Sequence, residues 1–283
     1  MKNRLVYFIG KHLSVFMKPF FFSLALLCSL YSCSPVSNMI LNGQSDYKIF
    51  VSGTASRPEK HAAEELQQYL FRITGCNLPV THEVNLQDKY IYVGFSEAPA
   101  SLLANINPQE FGNEAYIIRS DGQHLLIAGG QPRGTLYGVI GYLSDHLGCR
   151  WYTKDVMKIP ERKRIPLPDK DDRQQPAFEY REAWYNEAYN ATWAMHNRLN
   201  PSMQPVPDSL GGSYISYPFV HTFYNMVSPE KYFGQHPEYF SEVNGKRAGK
   251  DAQLCLTNPE VAKIASATVL SWIREHPEAS IFA

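Results

Sequence analysis

Arginine, histidine and tryptophan side chains in the second half of the chain are of types that could bind a polar ligand. Arg181 and Arg198 carry planar forks of donors that fit a carboxylate or a pair of hydroxyl groups. His221 can donate or accept a hydrogen bond and can move a proton near neutral pH. Trp184 offers an aromatic face on which a ring can stack. These four residues are the candidate binding residues.

Each candidate also has a structural interpretation, which the sequence leaves open. Arg181 could form a salt bridge with Glu179 or Glu182, and His221 could be a hydrogen-bonded structural histidine. The tryptophan could pack in the core. Glu238 is a weak candidate for an acid catalyst, so no catalytic residue is assigned.

Composition and missing motifs argue against several classes of function. Lys plus Arg and Asp plus Glu are equal at 27 each, so nothing in the overall charge favours nucleic acid or an anionic surface as a partner. The sequence has no glycine-rich phosphate loop, no histidines at metal-ligand spacing and no nucleophile elbow. We therefore expect no cofactor and no metal.

Three cysteines follow the N-terminal segment: Cys76, Cys149 and Cys255. They are far apart and lack CxxC spacing, which argues against a zinc site. One pair could form a disulfide in an oxidising compartment. Three buried free thiols are the preferred interpretation.

Residues 1–33 are predicted to be a lipoprotein signal peptide. Basic residues precede an apolar run at 20–30, which is too short to span a bilayer because a spanning helix needs roughly 20 apolar residues. The run ends at Leu30-Tyr31-Ser32-Cys33, which resembles the lipobox of bacterial lipoproteins, and Met17 is an alternative initiator. We expect lipidation at Cys33 and attachment to the cell envelope, on the periplasmic side because no acidic run follows.

Residues 45–166 are predicted to form a small α+β sandwich. Runs at 47–51, 78–81, 90–95, 115–119 and 124–128 predict strands, and Ser120-Asp121-Gly122-Gln123 predicts a hairpin turn between the last two. Apolar residues at helical spacing predict one helix capped by Ser56 and ended by Gly75. They predict a second helix, with Pro132 in its first turn and Gly148 after its end.

A charged, proline-punctuated segment at 166–176 predicts a linker to a second unit at 177–283. In that unit 178–183, 239–240, 253–256 and 280–283 are strand candidates, and 191–198 predicts a helix. Thr257-Asn258-Pro259-Glu260 is typical of a helix start. The buried face of that helix is expected to comprise Val261, Ile264, Ala265, Thr268, Val269 and Trp272. Arg133 is expected to pack against this second unit, because the helix dipole disfavours a cation at a helix start.

Two sets of motifs carry a resemblance to known families. Gly134-Thr135-Leu136-Tyr137-Gly138 and Leu147-Gly148-Cys149-Arg150-Trp151-Tyr152 resemble a segment shared by the N-terminal accessory domains of family 67 α-glucuronidases and family 20 β-hexosaminidases. Val220-His221-Thr222-Phe223, His236-Pro237-Glu238-Tyr239-Phe240 and the run 253–259 resemble domain-of-unknown-function family 4838. That family carries the same accessory domain ahead of a glycosidase-like (β/α)8 barrel.

The resemblance implies an α/β architecture in which 177–283 is the first part of an incomplete (β/α)8 barrel of the TIM type. In such a barrel working residues lie at the carboxyl ends of strands, which selects Arg181, Glu182, His221, and Gln253 or Cys255. In related glycosidases the paired acids follow later strands, so this chain is expected to end, at Ala283, before its catalytic carboxylates.

The implied function is that of a glycoside hydrolase-related lipoprotein acting on complex glycans, inactive as this fragment. A non-catalytic glycan-binding lipoprotein is the alternative. A gene fragment without a stable fold is a third hypothesis, because an unfinished barrel would expose strand edges.

Overall fold

Short strands and helices alternate along the part of the chain that this computed structural model describes, residues 37–282. The strands are β1 (Asn38–Leu41), β2 (Tyr47–Phe50), β3 (Val80–Thr81), β4 (Lys89–Val93), β5 (Tyr116–Ser120), β6 (Leu125–Gly129), β7 (Arg150–Trp151), β8 (Met157–Lys158), β9 (Arg164–Pro166), β10 (Asp172–Gln174), β11 (Glu242–Val243) and β12 (Lys246–Arg247). The α-helices are α1 (Arg57–Thr74), α2 (Ala100–Leu103), α3 (Gly134–Gly141), α4 (Ala191–His196), α5 (Phe223–Met226), α6 (Pro229–Tyr232) and α7 (Pro259–Glu275). The predicted signal segment, with Cys33, lies outside the described residues.

A six-stranded mixed sheet with the order β10-β5-β6-β4-β2-β3 forms the centre of the fold. The contacts among β3, β2, β4 and β6 are parallel, whereas β5 is antiparallel to both β6 and β10. The predicted hairpin at 120–123 is confirmed. Asp121 Oδ1 stabilises it by accepting hydrogen bonds from the backbone N–H groups of Gln123, at 3.0 Å, and His124, at 2.7 Å.

Both faces of this sheet are buried, as the alternation of side chains along its strands requires. In β4, Ile91 and Val93 belong to the core on one face, while Tyr90 and Tyr92 belong to the core on the other. Helices α1 and α3 contribute to the first core, and α2 with its flanking loops contributes to the second.

Helix α1 confirms the prediction made from its caps. Ser56 and Glu59 form a complete capping box, and Gly75 ends the helix at φ +75°. The predicted apolar stripe, which consists of Ala62, Leu66, Leu70 and Ile73, is buried.

Helix α3 lies unusually close to the sheet because its inner positions are glycines. A Cβ on Gly134 would lie 2.4 Å from the carbonyl oxygen of Ala115, and one on Gly138 would lie 3.1 Å from Tyr116. Pro132 precedes this helix and does not occupy its first turn, since the N-cap is Arg133. A π-helical turn, Tyr142–His146, follows the helix.

The predicted linker at 166–176 is wrong in part, because β10 lies within it and forms an edge of the large sheet. Asp172, Arg173 and Gln174 pair with Ile118, Ile117 and Tyr116 of β5. Charged residues are common on edge strands, since one side of such a strand faces solvent. Polar composition alone therefore suggested a linker where the chain completes a sheet.

The chain beyond β10 divides between two hydrophobic cores. Ala188, Trp193 and Met195 pack into the core between α1, α3 and the sheet. A separate small core farther along the chain consists of Val227, Tyr239, Phe240, Leu254 and Val261.

The predicted barrel is not shown by residues 177–282. The first strand candidate, 178–183, has no strand structure, and the described strands of this region form only the hairpin β11–β12. Phe240 and Leu254 form one isolated antiparallel bridge, and Ser216 and Ile281 form one parallel bridge. The observed fold is therefore mixed α/β with several sheets.

Helix α7 begins at the predicted site, with Asn258 as N-cap and Pro259 in the first turn, and ends at Glu275, with His276 as its C-cap. Its predicted buried face is only partly correct, because Val261 is its one fully buried residue. Leu270 and Ile273 are exposed. Within residues 37–282, no helix combines the length and the apolar character needed to cross a membrane.

Candidate functional site

A cavity of about 350 Å³ lies beside α5 and the loop that follows β12. Seven residues line it: Val220, His221, Thr222, Phe223, Tyr224, Ala252 and Gln253. Two segments far apart in sequence therefore meet at one concave surface. Both contain residues that the sequence singles out, His221 and Gln253.

The backbone of Gln253 is fixed by its neighbours. Ser241 donates its N–H to the Gln253 carbonyl at 2.7 Å, and Gln253 donates its N–H to Ser241 Oγ at 3.0 Å. The next residue, Leu254, is buried in the small core. The side-chain amide of Gln253 is exposed and has no hydrogen-bond partner among the described residues, so it is available to a ligand.

His221 is held in a left-handed backbone conformation at φ +60°. For a residue with a Cβ this conformation costs on the order of 1 kcal/mol, and such residues cluster at functional sites. Its imidazole is exposed and makes no hydrogen bond to any described residue. The structural interpretation of His221, a histidine satisfied by internal hydrogen bonds, therefore does not apply.

Tyr224 contributes a hydroxyl group that the described protein leaves unpaired. Its ring packs against Phe240 with the ring centres 6.1 Å apart. Its Oη atom is buried and has no hydrogen-bond partner in residues 37–282. Because buried hydroxyl groups are nearly always hydrogen-bonded, this group on a cavity-lining residue is a candidate partner for a ligand that reaches it.

Trp184 lies on the surface and stacks on Phe219, with ring centres 6.4 Å apart and an interplanar angle of 19°. It is 62% exposed, so the core-packing interpretation is wrong. Phe219 directly precedes the cavity-lining Val220. Most exposed aromatic side chains lie in the same part of the chain: Phe178, Tyr180, Trp184, Tyr185, Tyr189, Phe219 and Phe223.

Arg181 is engaged by the protein itself. Its Nη2 lies 2.6 Å from Glu114 Oε2, and its Nε donates to the carbonyl of Arg198 at 2.9 Å. A salt bridge was one of the two interpretations of this residue, but the partner is Glu114 and not Glu179 or Glu182. Arg181 therefore joins the segment after β10 to the sheet domain.

Arg198 lies beside Arg181, and both line a cavity of about 250 Å³. Arg198 has φ +56°, and its Nη1 donates to Tyr116 Oη at 3.0 Å and to Asp145 Oδ2 at 3.1 Å. Burial acts to lower the pKa of Arg198, but interaction with Tyr116 and Asp145 outweighs it and raises the pKa. The structure thus brings these two arginines together, while His221 lines a different cavity.

A buried polar network, which the sequence does not predict, is centred on Glu114. Its Oε1 accepts from Arg133 Nε at 2.7 Å and from Asn200 Nδ2 at 2.8 Å, and all three residues are buried. Arg133 Nη1 also donates to the carbonyl of Gly211 at 3.0 Å, which confirms its predicted packing against the second region. The one signal in the sequence was the cation at a helix start.

Other predicted residues are not suited to catalysis or to metal binding. Hydrogen bonds from its own backbone N–H and from His236 lower the pKa of Glu238, whereas a general acid needs a raised pKa. The three cysteines are free thiols, of which Cys76 and Cys149 are buried and Cys255 is half-buried. Among residues 37–282, no group of three His, Cys, Asp or Glu side chains could hold a metal ion.

Family models match two consecutive parts of the chain. Residues 40–142 match the family described as the N-terminus of glycosyl hydrolase family 67. Residues 151–283 match the domain of unknown function DUF4838. No curated protein matches the chain significantly.

Solved structures with low sequence identity resemble the chain over part of their length. One is a family GH115 4-O-methyl-α-glucuronidase with specificity for decorated arabinogalactans, with 18% identity, a TM-score of 0.44 and coverage of 61% of this chain. This chain spans 29% of that protein's length. A second is a GH138 enzyme targeting pectin rhamnogalacturonan II, with 18% identity, a TM-score of 0.33 and coverage of 55% of this chain and 23% of that one.

A third is a mutant β-hexosaminidase of Streptomyces plicatus in complex with GlcNAc, with 12% identity and a TM-score of 0.38. The match covers 86% of this chain and 55% of the β-hexosaminidase chain. The family matches confirm the resemblance that the sequence motifs predict. The chain is glycoside-hydrolase-like: a region similar to the N-terminus of glycosyl hydrolase family 67 is followed by a region similar to DUF4838.

Proposed function

We propose that this chain is the front part of a carbohydrate-active, glycoside hydrolase-related lipoprotein that recognises complex glycans. The observation that carries the proposal is the cavity in which His221, Tyr224 and Gln253 present polar groups that the described protein does not use. The match of residues 40–142 to a glycosyl hydrolase family supports it.

The cavity has the properties of a small-ligand site. Its volume of about 350 Å³ lies within the range of about 300 to 1,000 Å³ of such pockets. A pyranose ring has hydroxyl groups at its rim and apolar C–H groups on its faces. The imidazole, amide and phenol groups suit the hydroxyls, and the half-exposed ring of Phe223 suits a face.

The surface around Trp184 is proposed as an extension of this site. Trp184 and Phe219 present stacked aromatic rings next in sequence to the cavity wall. A longer glycan held in the cavity would place a further sugar on this surface. Arg181 is not part of the proposed contact, since Glu114 already neutralises it.

Hydrolysis requires acids that this cavity does not supply. Glycosidases generally use two carboxyl groups about 5 to 9.5 Å apart, and none of the described residues that line the cavity is Asp or Glu. In the proposed enzyme, the catalytic acids lie outside this cavity, on later strands of a (β/α)8 barrel, as the resemblance implies. The same observation favours a second candidate, a glycan-binding lipoprotein without catalytic activity.

Attachment to the envelope through diacylglycerol at Cys33, on the periplasmic side, is part of the proposal. It rests on the charged and apolar pattern of residues 1–33. Metabolic labelling with palmitate tests it: wild type is expected to incorporate label, and Cys33→Ser is expected to lose it. Equal labelling of both would contradict the anchor.

A glycan array probed with the chain from Ser34 onward tests recognition. Wild type is expected to bind a subset of glycans, and His221→Ala and Gln253→Ala are each expected to weaken that binding. His236→Ala is the matched control, since His236 does not line the cavity. If both cavity variants bound glycans as wild type does, the glycan site would have to lie outside this cavity.

Release of sugar decides between the two candidate functions. The full-length protein that the gene encodes is incubated with the glycans that bind on the array. Sugar release that requires acids after later strands supports the enzyme. Binding without release supports the non-catalytic protein, and neither binding nor release would contradict both.

A further inference from the structure

Six cationic side chains cluster on the surface formed by β7, β8, β9 and the end of α1. We call them the basic patch: Arg72, Arg150, Lys158, Arg162, Lys163 and Arg164. Arg162 is half-buried and the others are exposed. None of them forms an ion pair with an acid in residues 37–282, although many other cations of the chain do.

Contacts within the fold bring four members of the basic patch together. Arg72, Arg150 and Arg162 all lie close enough to the buried thiol of Cys149 for their charges to act on it. Strand pairing places Arg150 opposite Lys158. The backbone of Arg162 donates to the carbonyl of Ile73, the residue after Arg72, at 2.9 Å. Lys163 and Arg164 follow Arg162 directly in sequence, and Glu161 is the one acid between Lys158 and Arg164.

The basic patch lies where the described chain begins. Arg164 Nε donates to Asn38 Oδ1 at 2.5 Å, and Asn38 is the first residue of β1. Cys33, the proposed lipidation site, precedes Asn38 by five residues, which span at most about 18 Å even when fully extended. A lipid at Cys33 would therefore keep this surface close to the bilayer.

Exposed apolar side chains accompany the cations. Leu41 lies opposite Arg164 in the β1–β9 pair, and Phe71 directly precedes Arg72 in α1. Both are about half exposed. Cations beside apolar side chains are the combination found on surfaces that rest on anionic lipid, because headgroups attract the charges and the interface accepts the apolar groups.

We propose that the basic patch is a membrane-facing surface that binds anionic phospholipid headgroups and so fixes the orientation of the anchored protein. The proposal rests on the lipid anchor of the proposed function. The balanced charge of the whole chain conceals this surface, because the segment from Lys158 to Arg164 holds four cations and one acid. With the patch toward the bilayer, the lipid and the headgroups hold the protein at two points.

Vesicle binding by the chain from Ser34 onward, which carries no lipid, tests the patch separately from the anchor. Wild type is expected to bind vesicles of phosphatidylglycerol and phosphatidylethanolamine, to bind phosphatidylcholine vesicles much less, and to be released by salt. Because each cation near a charged bilayer changes partitioning about fivefold, Lys158→Gln/Arg162→Gln/Arg164→Gln is expected to lose about one hundredfold.

Two controls keep the test decisive. Lys246→Gln/Lys250→Gln/Arg274→Gln removes three exposed cations outside the patch and is expected to bind like wild type. Arg162→Lys/Arg164→Lys keeps the charges and is expected to retain binding. Equal binding by the two glutamine triples would overturn the proposal, as would binding to a soluble anionic polysaccharide but not to vesicles. Wild-type protein that incorporates no palmitate label, with vesicle binding by the chain from Ser34 onward intact, would contradict the anchor alone.

Discussion

Glu114 is the residue on which the junction between the sheet and the following segment depends. Two guanidinium groups, those of Arg133 and Arg181, and the amide of Asn200 converge on its carboxylate. Buried charges are tolerated only when they are paired and hydrogen-bonded. The three partners come from separate parts of the sequence, so spacing could not predict this network.

Replacing Glu114 by Gln should destabilise the protein strongly, because two arginines would be left without a counter-charge in a buried site. We expect a loss of about 3 to 5 kcal/mol in the free energy of unfolding, measured by urea denaturation. Glu110→Gln is the control: its carboxylate lies 3.7 Å from exposed Arg173, a pair worth about 1 kcal/mol or less. Similar losses in both variants would contradict the role of Glu114.

At the proposed glycan site, the sequence could predict His221 and Gln253 but not Tyr224. His221 and Gln253 are selected because, in a (β/α)8 barrel, working residues lie at the carboxyl ends of strands, and such positions can be identified along the sequence. The unpaired hydroxyl of Tyr224 becomes visible only when its burial and its neighbours are known. Arg181 is the opposite case: its residue type suits ligand binding, but in the structure it forms an ion pair with Glu114.

At the scale of elements, the sequence predicts well those segments whose start and end are set locally. Helices α1 and α7 have a capping residue, a proline in the first turn and a distinct stop, and both are confirmed. The prediction of a strand at 178–183 is wrong, because a strand requires a neighbouring strand to accept its hydrogen bonds. There the backbone of Arg181 pairs with Asn200, so that a loop replaces the strand.

Removing the cap of α1 should cost a predictable amount. Ser56 Oγ accepts a hydrogen bond from Glu59 N–H, and Glu59 returns one to the backbone of Ser56. We expect Ser56→Ala to lower the free energy of unfolding by about 0.5 to 2 kcal/mol. Ser266→Ala, inside exposed α7, should be close to neutral because alanine favours helix interiors. A neutral Ser56→Ala would show that the cap contributes nothing.

Strand β10 should make stability depend on pH in the acid range. Burial acts to raise the pKa of Asp172, but hydrogen bonds from His146 and Gln174 outweigh it and lower the pKa below 3.8. A lowered folded-state pKa means that Asp172 stabilises the protein above pH 3.8 and that this contribution is lost as the pH falls through the folded value.

Urea denaturation between about pH 5 and about pH 2 measures this effect. Asp172→Asn is expected to reduce the loss of stability in that window relative to wild type. Asp169→Asn, an exposed aspartate of the same segment, is the control and should follow wild type. If the stability of Asp172→Asn depended on pH in the same way as that of wild type, Asp172 would not be the group responsible.

For the whole molecule, the main difference from expectation is where the larger core ends. The composition of 166–176 predicts a linker, yet β10 joins the sheet and Trp193 packs beyond it. Hydrogen bonds and ion pairs of Arg133, Arg181 and Arg198 tie the chain as far as Gly212 to the sheet. Long-range packing of this kind leaves no local signature, which is why the sequence could not predict it.

Trp193→Ala should therefore destabilise the sheet region, although Trp193 lies after the predicted linker. Its indole is buried and donates to the carbonyl of Trp151 at 3.1 Å. We expect a loss of about 3 to 5 kcal/mol and a single unfolding transition by far-ultraviolet circular dichroism. Trp184→Ala, at an exposed site, should change stability by no more than about 0.5 kcal/mol. If Trp193→Ala unfolded in two transitions, with the sheet region unaffected in the first, Trp193 would not share a core with the sheet.

In the proposed function, the cavity beside α5 binds a sugar through His221, Tyr224 and Gln253. Isothermal titration of the chain from Ser34 onward with the glycan that gives the strongest array signal measures this binding. We expect Tyr224→Phe and His221→Ala each to raise Kd by about tenfold, and His236→Ala to leave it unchanged. Equal affinity for all four proteins, or no binding to any glycan by a cooperatively folded wild type, would show that this cavity is not the site.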